Sequence, residues 1–227
     1  MRYYPDLKGI KGSGLTWDVP MTVTRRDIFG LLALSGAATI APSVLKAAAG
    51  EAEVGDNGLF TQDWFLETFF ELADDHAELA ANNKNLAILF EQRGCPYCRE
   101  LHRVNFARKE IRSYLKKHFG VIQLDLWGSR SVTDFDGQKL EERTLAQKSR
   151  VVFTPTMLFF PRDVNSVKGK SIADAEIFRM PGYFKPFHFI SMLEYVNDGH
   201  YSTENFQRFL QARFKKLKEQ GIDPDVW

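Results

Sequence analysis

Five consecutive apolar residues, Leu86-Ala87-Ile88-Leu89-Phe90, end at Glu91-Gln92-Arg93-Gly94, and Cys95-Pro96-Tyr97-Cys98 follows at once. A run so short and continuous reads as a buried strand. The residues behind it turn helical over 98–107 and again over 110–119. Gly120 closes the second stretch, and 121–126 returns as a strand. Strand, cysteine-bearing helix, strand is a βαβ unit, which demands parallel pairing and a right-handed crossover. Both cysteines of the chain lie where its first strand feeds a helix.

The other elements follow from spacing. Phe60, Trp64, Phe65, Phe69, Leu72, Ala73, His76 and Leu79 predict an N-terminal amphipathic helix over 59–82, with 50–58 as a mobile tether. Asp136-Gly137 between alternating apolar residues predicts a β-hairpin insertion within 127–140, followed by a short helix over 141–149. Residues 151–160 read as a strand with Thr154-Pro155 at its entrance, paired antiparallel with a strand over 176–180. Helices over 187–196 and 203–219 follow, the second within a C-terminal extension over 199–227. A chain of 227 residues, 44% hydrophobic with 19 Phe, has room for one well-filled domain. Its formal charge of +1 offers nucleic acid no electrostatic footprint. Two cysteines are too few for a disulfide scaffold, so the pair reads as a reagent.

Residues 1–49 read as a removable leader. Thr24-Arg25-Arg26-Asp27-Ile28-Phe29 is a twin-arginine sequence, followed by a weakly apolar run over 28–45 and by Ala47-Ala48-Ala49. Met21 offers a later start, which would make 1–20 an over-long beginning. The run is rich in Gly, Ala and Ser and holds Pro42, so it suits a permanent span poorly; an uncleaved anchor is the alternative. Cleavage removes six basic and three acidic residues and leaves 24 against 26, a formal charge of −2. Export places the dithiol in the periplasm.

Placed at a helix start, Cys95 reads as the exposed nucleophile, because aligned peptide dipoles there favour a thiolate. Cys98, one turn in, reads as the buried resolving thiol. Pro96 removes an N–H that would be unpaired anyway. Zinc at Cys95, Cys98 and His102 lacks a fourth ligand, and His102 reads instead as a helix-surface residue, or, lying one turn beyond Cys98, as a residue that tunes the thiols electrostatically. A structural disulfide over this separation closes almost no loop. The expectation is no metal and no cofactor beyond the Cys95–Cys98 couple. Arg93 and Arg99 either support the thiolate or are ordinary solvated charges. The motif leaves open a reductant, an oxidant or isomerase, and a non-catalytic binding module.

The element order, with CxxC after the first core strand and Thr-Pro opening the third, resembles the thioredoxin fold across roughly 59–198. That is an α/β fold with a central mixed sheet flanked by helices. The resemblance implies that Pro155 is cis and lies against the cysteines, and that Thr154 presents backbone to substrate. Pro96 and Tyr97 complete the implied substrate-binding face. Four segments are similar to SoxW, the exported thioredoxins of bacterial sulfur-oxidation systems. They are Gly94-Cys95-Pro96-Tyr97-Cys98, Gln123-Leu124-Asp125-Leu126-Trp127-Gly128, Val132-Thr133-Asp134-Phe135-Asp136-Gly137 and Phe153-Thr154-Pro155-Thr156. This implies protein substrates carrying disulfides or cysteine adducts, a sulfur-oxidation carrier among them, and a membrane thiol–disulfide electron-transfer protein as reductant. The chain is expected to be a monomer with no nucleic-acid partner. Two positions depart from ordinary thioredoxins: Leu89 stands where they keep a buried acid, and Glu91 where they keep Trp. Glu91 is the candidate for proton handling, provided it folds back towards Cys98. The Pro-Tyr dipeptide is that of glutaredoxins.

Overall fold

Residues 52–224 are described by the structure, a computed structural model; the expected leader over 1–49 lies outside them. The chain forms α1 (Leu72–Ala81), β1 (Asn85–Glu91), α2 (Pro96–Glu100), α3 (Lys109–His118) and β2 (Phe119–Asp125). The hairpin β3 (Ser131–Thr133) and β4 (Lys139–Glu141) precedes α4 (Glu142–Lys148), β5 (Thr156–Phe159) and α5 (Ile172–Ala175). The last elements are β6 (Phe178–Pro181), α6 (Pro186–Asn197) and α7 (Phe206–Glu219). Between α2 and α3 the helix widens into π-helical turns over Leu101–Phe106. The main sheet has the order β2-β1-β5-β6, parallel between β1 and β2 and antiparallel elsewhere. It is a mixed sheet flanked by helices, as the element order predicts.

Alternation along β1 divides the core. Leu86, Ile88 and Phe90 point to one face, packed with Leu72 of α1 and Leu145 of α4. Ala87 and Leu89 point to the other, with Leu101, Phe106, Ile111 of α3 and Phe189 of α6. Side chains on a strand switch faces at every residue. Glu91 therefore continues the Ala87–Leu89 series and is carried to the face that holds the cysteine-bearing helix.

Four expectations need correcting. The helix predicted over 59–82 exists only as α1; residues 59–71 run extended and turned across the domain. Their backbone groups find tertiary partners instead of a helical ladder: Leu66 N–H donates to Val121 O, and Phe70 O accepts from Thr133 N–H. Phe70 itself sits at φ 61, incompatible with a continuing helix. The described part of the tether is a closed turn, with Thr61 N–H on Glu53 O and Gly55 N–H on Leu59 O. Gly120 caps nothing; it lies within β2, where a Cβ would come 2.4 Å from Leu79 Cδ2, so it lets α1 approach the sheet. Finally, β5 begins only at Thr156. Pro155 has no N–H for a ladder, and Val152 and Phe153 before it are exposed.

The hairpin forms where Asp136-Gly137 predicts it, with Val132 opposite Leu140. Lys148 of α4 ties it down by donating to Asp134 and Asp136. In the C-terminal extension Asn205 caps α7 by accepting from Arg208 N–H. Phe206 packs on Phe178 of edge strand β6 at 5.2 Å between ring centroids, and Arg213 pairs with Glu194 of α6.

Candidate functional site

The site grows from the break between β1 and α2. Gly94 adopts φ 70, which a glycine tolerates without strain, and this turns the chain from strand into helix. Cys95 is the N-cap of α2 and Pro96 its first residue. The Cys95 sulfur accepts from Cys98 N–H at 3.2 Å, so the first thiol of the pair also caps the helix.

Opposite it stands the loop before β5. The Thr154-Pro155 bond is cis. Thr154 Oγ1 donates to Cys95 Sγ at 3.3 Å, and the Cys95 thiol in turn faces Thr154 O at 3.5 Å. N–H and O–H donors thus converge on one sulfur. Thr154 also covers it: Cys95 is only 4% exposed, a correction to its reading as an exposed nucleophile. Tyr97, between the two cysteines, is 60% exposed, and Val152 and Phe153, just before Thr154, are exposed as well. Both cysteines are free thiols.

Cys98 is fully buried. Burial first, and then the negative charge of Glu91, push its thiol far above the ordinary range. Glu91 therefore does lie on the Cys98 side of the sheet, itself 1% exposed. It does not stand alone there. His102 Nε2 is 3.2 Å from both Glu91 oxygens, and Gln123 of β2 donates to Glu91 Oε2 and to Phe60 O. On the far side of the ring, Gln62 Nε2 is 3.1 Å from His102 Nδ1, and Trp64 Nε1 donates to Gln62 Oε1 at 3.1 Å. The rings of Phe60, Phe65 and Phe106 enclose the imidazole.

His102 thus overturns its reading as a surface residue. It is 1% exposed, and both ring nitrogens are occupied within this cluster, so the Cys95–Cys98–His102 zinc set is not assembled. Its position one turn after Cys98 does place it beside the thiols, because residues four apart share a helix face; what the spacing did not show is its burial. Gln123 is signalled likewise by alternation with buried Val121. Gln62 carries no such sign, since its segment follows no regular period. Arg93 is paired with Asp125 at 4.0 Å and Arg99 is exposed, both on the solvent side of the motif.

A thioredoxin-like domain model matches residues 72–197, more than half of the chain. The chain belongs to the thioredoxin-like family. No curated protein matches it in sequence. Among solved structures it is similar to a thioredoxin-fold protein from Helicobacter pylori, 25% identical over 61% of this chain and 87% of that one, TM-score 0.47. It is also similar to a thioredoxin from Thermus thermophilus, 20% identical over 56% and 84%, TM-score 0.42. A third is the C-terminal domain of DsbD from Neisseria meningitidis, 14% identical over 57% and 99%, TM-score 0.36. The thioredoxin-like match begins at Leu72, so Gln62, Trp64 and Phe65 stand in front of it.

Proposed function

We propose that the chain is a thiol–disulfide oxidoreductase of the periplasm, exported by the twin-arginine pathway and working mainly as a reductant. The observation that carries the reading is the Cys95 sulfur, held at a helix start between Cys98 N–H and the Thr154 hydroxyl beside a cis proline. Cys95 thiolate attacks one sulfur of a partner disulfide. A Cys95–partner bond forms, and the other partner sulfur leaves as a thiolate. Cys98 then yields its proton to the Glu91 carboxylate, and its thiolate attacks Cys95 Sγ. The Cys95–Cys98 bond closes and the second partner sulfur departs, taking up a proton. Two electrons pass to the partner, and an external dithiol must return them.

The reducing direction is carried over from the SoxW resemblance; the dithiol motif itself supports exchange in either direction. The substrate reading rests on the four SoxW-like segments: a disulfide or cysteine adduct on a sulfur-oxidation carrier, with a membrane electron-transfer protein recharging a monomeric chain.

Insulin reduction driven by dithiothreitol tests the activity. Cys95→Ser abolishes it, and Cys98→Ser accumulates a mixed disulfide whose partner, captured in the native periplasm, is the substrate. Retained turnover in Cys95→Ser would refute the assignment. An equilibrium potential near about −120 mV, the range of strong oxidants, would reverse the proposed direction and make the chain an oxidant or isomerase.

A further inference from the structure

A carboxyl group and an imidazole 3.2 Å apart can share hydrogens in several ways; here the chain of donors behind them decides. Trp64 Nε1–H can only donate, and it meets Gln62 Oε1. The Gln62 amide therefore turns its NH2 towards His102 Nδ1. An amide NH2 is also donor-only, so Nδ1 is bare. A neutral imidazole with a bare Nδ1 keeps its hydrogen on Nε2, which faces Glu91. Gln123, with its own NH2 on Glu91 and Phe60 O, supplies a second donor. The Trp64–Gln62–His102 chain and Gln123 each deliver a donor to Glu91.

We infer that Gln62, oriented by Trp64, locks His102 in the Nε2–H tautomer and thereby keeps Glu91 a charged hydrogen-bond acceptor beside Cys98. Gln62 and His102 are positioning residues for the proton of the resolving thiol. Protonating Nδ1 would bring its hydrogen against those of Gln62, so the ring stays neutral and leaves the Glu91 charge uncompensated. The groups facing His102 are Gln62 ahead of α1, Glu91 on β1, and the rings of Phe60, Phe65 and Phe106. Those acting on Cys98 are Glu91, Cys95 and Thr154. Among the described residues no lysine or arginine pairs with Glu91 or His102. The importance for turnover rests on the exchange chemistry proposed above; the tautomer does not.

The test is the 15N spectrum of histidine-labelled, reduced full-length protein near neutral pH. One bare and one protonated ring nitrogen are expected for His102, with the bare one Nδ1. Gln62→Glu is nearly isosteric and still accepts from Trp64, but it presents an acceptor to Nδ1. Both nitrogens should then be protonated, and the resulting imidazolium should offset Glu91. In a Cys95→Ser background, the pH profile for alkylation of Cys98 should move down by on the order of one pH unit. A wild-type His102 protonated on Nδ1 would overturn the inference without any variant, so a Gln62→Glu protein that fails to fold leaves it falsifiable. An unchanged ring and an unchanged Cys98 profile in folded Gln62→Glu would overturn it too. Loss of insulin reduction in wild type, with the expected tautomer, would instead sink only the activity.

Discussion

At the scale of single residues, the site is a contrast between two sulfurs three positions apart. Cys95 is surrounded by donors and capped by a neighbouring loop, whereas Cys98 is buried against a negative group. The second environment has a thermodynamic consequence. A thiol raised in the folded state leaves stability untouched while both states are protonated. Stability falls once the unfolded chain can ionise, from pH 9.0 upward for a cysteine. Burial raises Tyr114 as well, with an onset at 10.0. Urea midpoints of the reduced protein should therefore decline between pH 9.0 and 10.0, and Cys98→Ala should flatten that decline. The cysteines were legible in the sequence, because strand, break and CxxC fix where they stand; Pro155 and Glu91 stand out only through the thioredoxin resemblance, which leaves open the direction Glu91 takes. The burial of His102 was missed because one histidine among Arg99, Glu100 and Arg103 reads as part of a solvated face. Only the π-helical turns and the aromatic segment that covers them show which side it takes.

At the scale of elements, legibility followed backbone regularity. β1, β2, the hairpin and α6 stand where apolar periodicity and Asp-Gly put them, since their hydrogen bonds are local or between neighbouring strands. Residues 59–71 broke the rule: aromatic spacing compatible with a helix was used to pave a surface, and the backbone bonded to β2 and β3 instead. Gly120 was misread for a related reason, as punctuation rather than clearance. Its missing side chain permits the seating of α1, which makes Gly120→Ala an overpacking change. A loss of about 1–3 kcal/mol is expected in the urea-derived stability, with Leu79→Ala in the same chain restoring clearance and reducing the penalty of the added methyl.

Taken as a whole molecule, the thioredoxin-like sheet is extended at both ends by segments that the family match does not include. At the C-terminal end, α7 lays Phe206 against Phe178 and Tyr195 and covers the β6 edge. Phe206→Ala should cost about 2 kcal/mol, below the range for a fully buried ring because Phe206 is only half-buried. Hydrogen exchange should show α7 released ahead of the sheet. At the other end, the segment carrying Phe60, Gln62, Trp64 and Phe65 roofs the ring of His102. That roof sets a boundary for anyone trimming the protein. A fragment cut to the matched residues, beginning at Leu72, keeps both cysteines, the cis proline and Glu91, and would pass for the whole working part. It also opens the buried carboxylate to water, so the fragment's thiols would be tuned by solvent where those of the intact chain are tuned by Gln62.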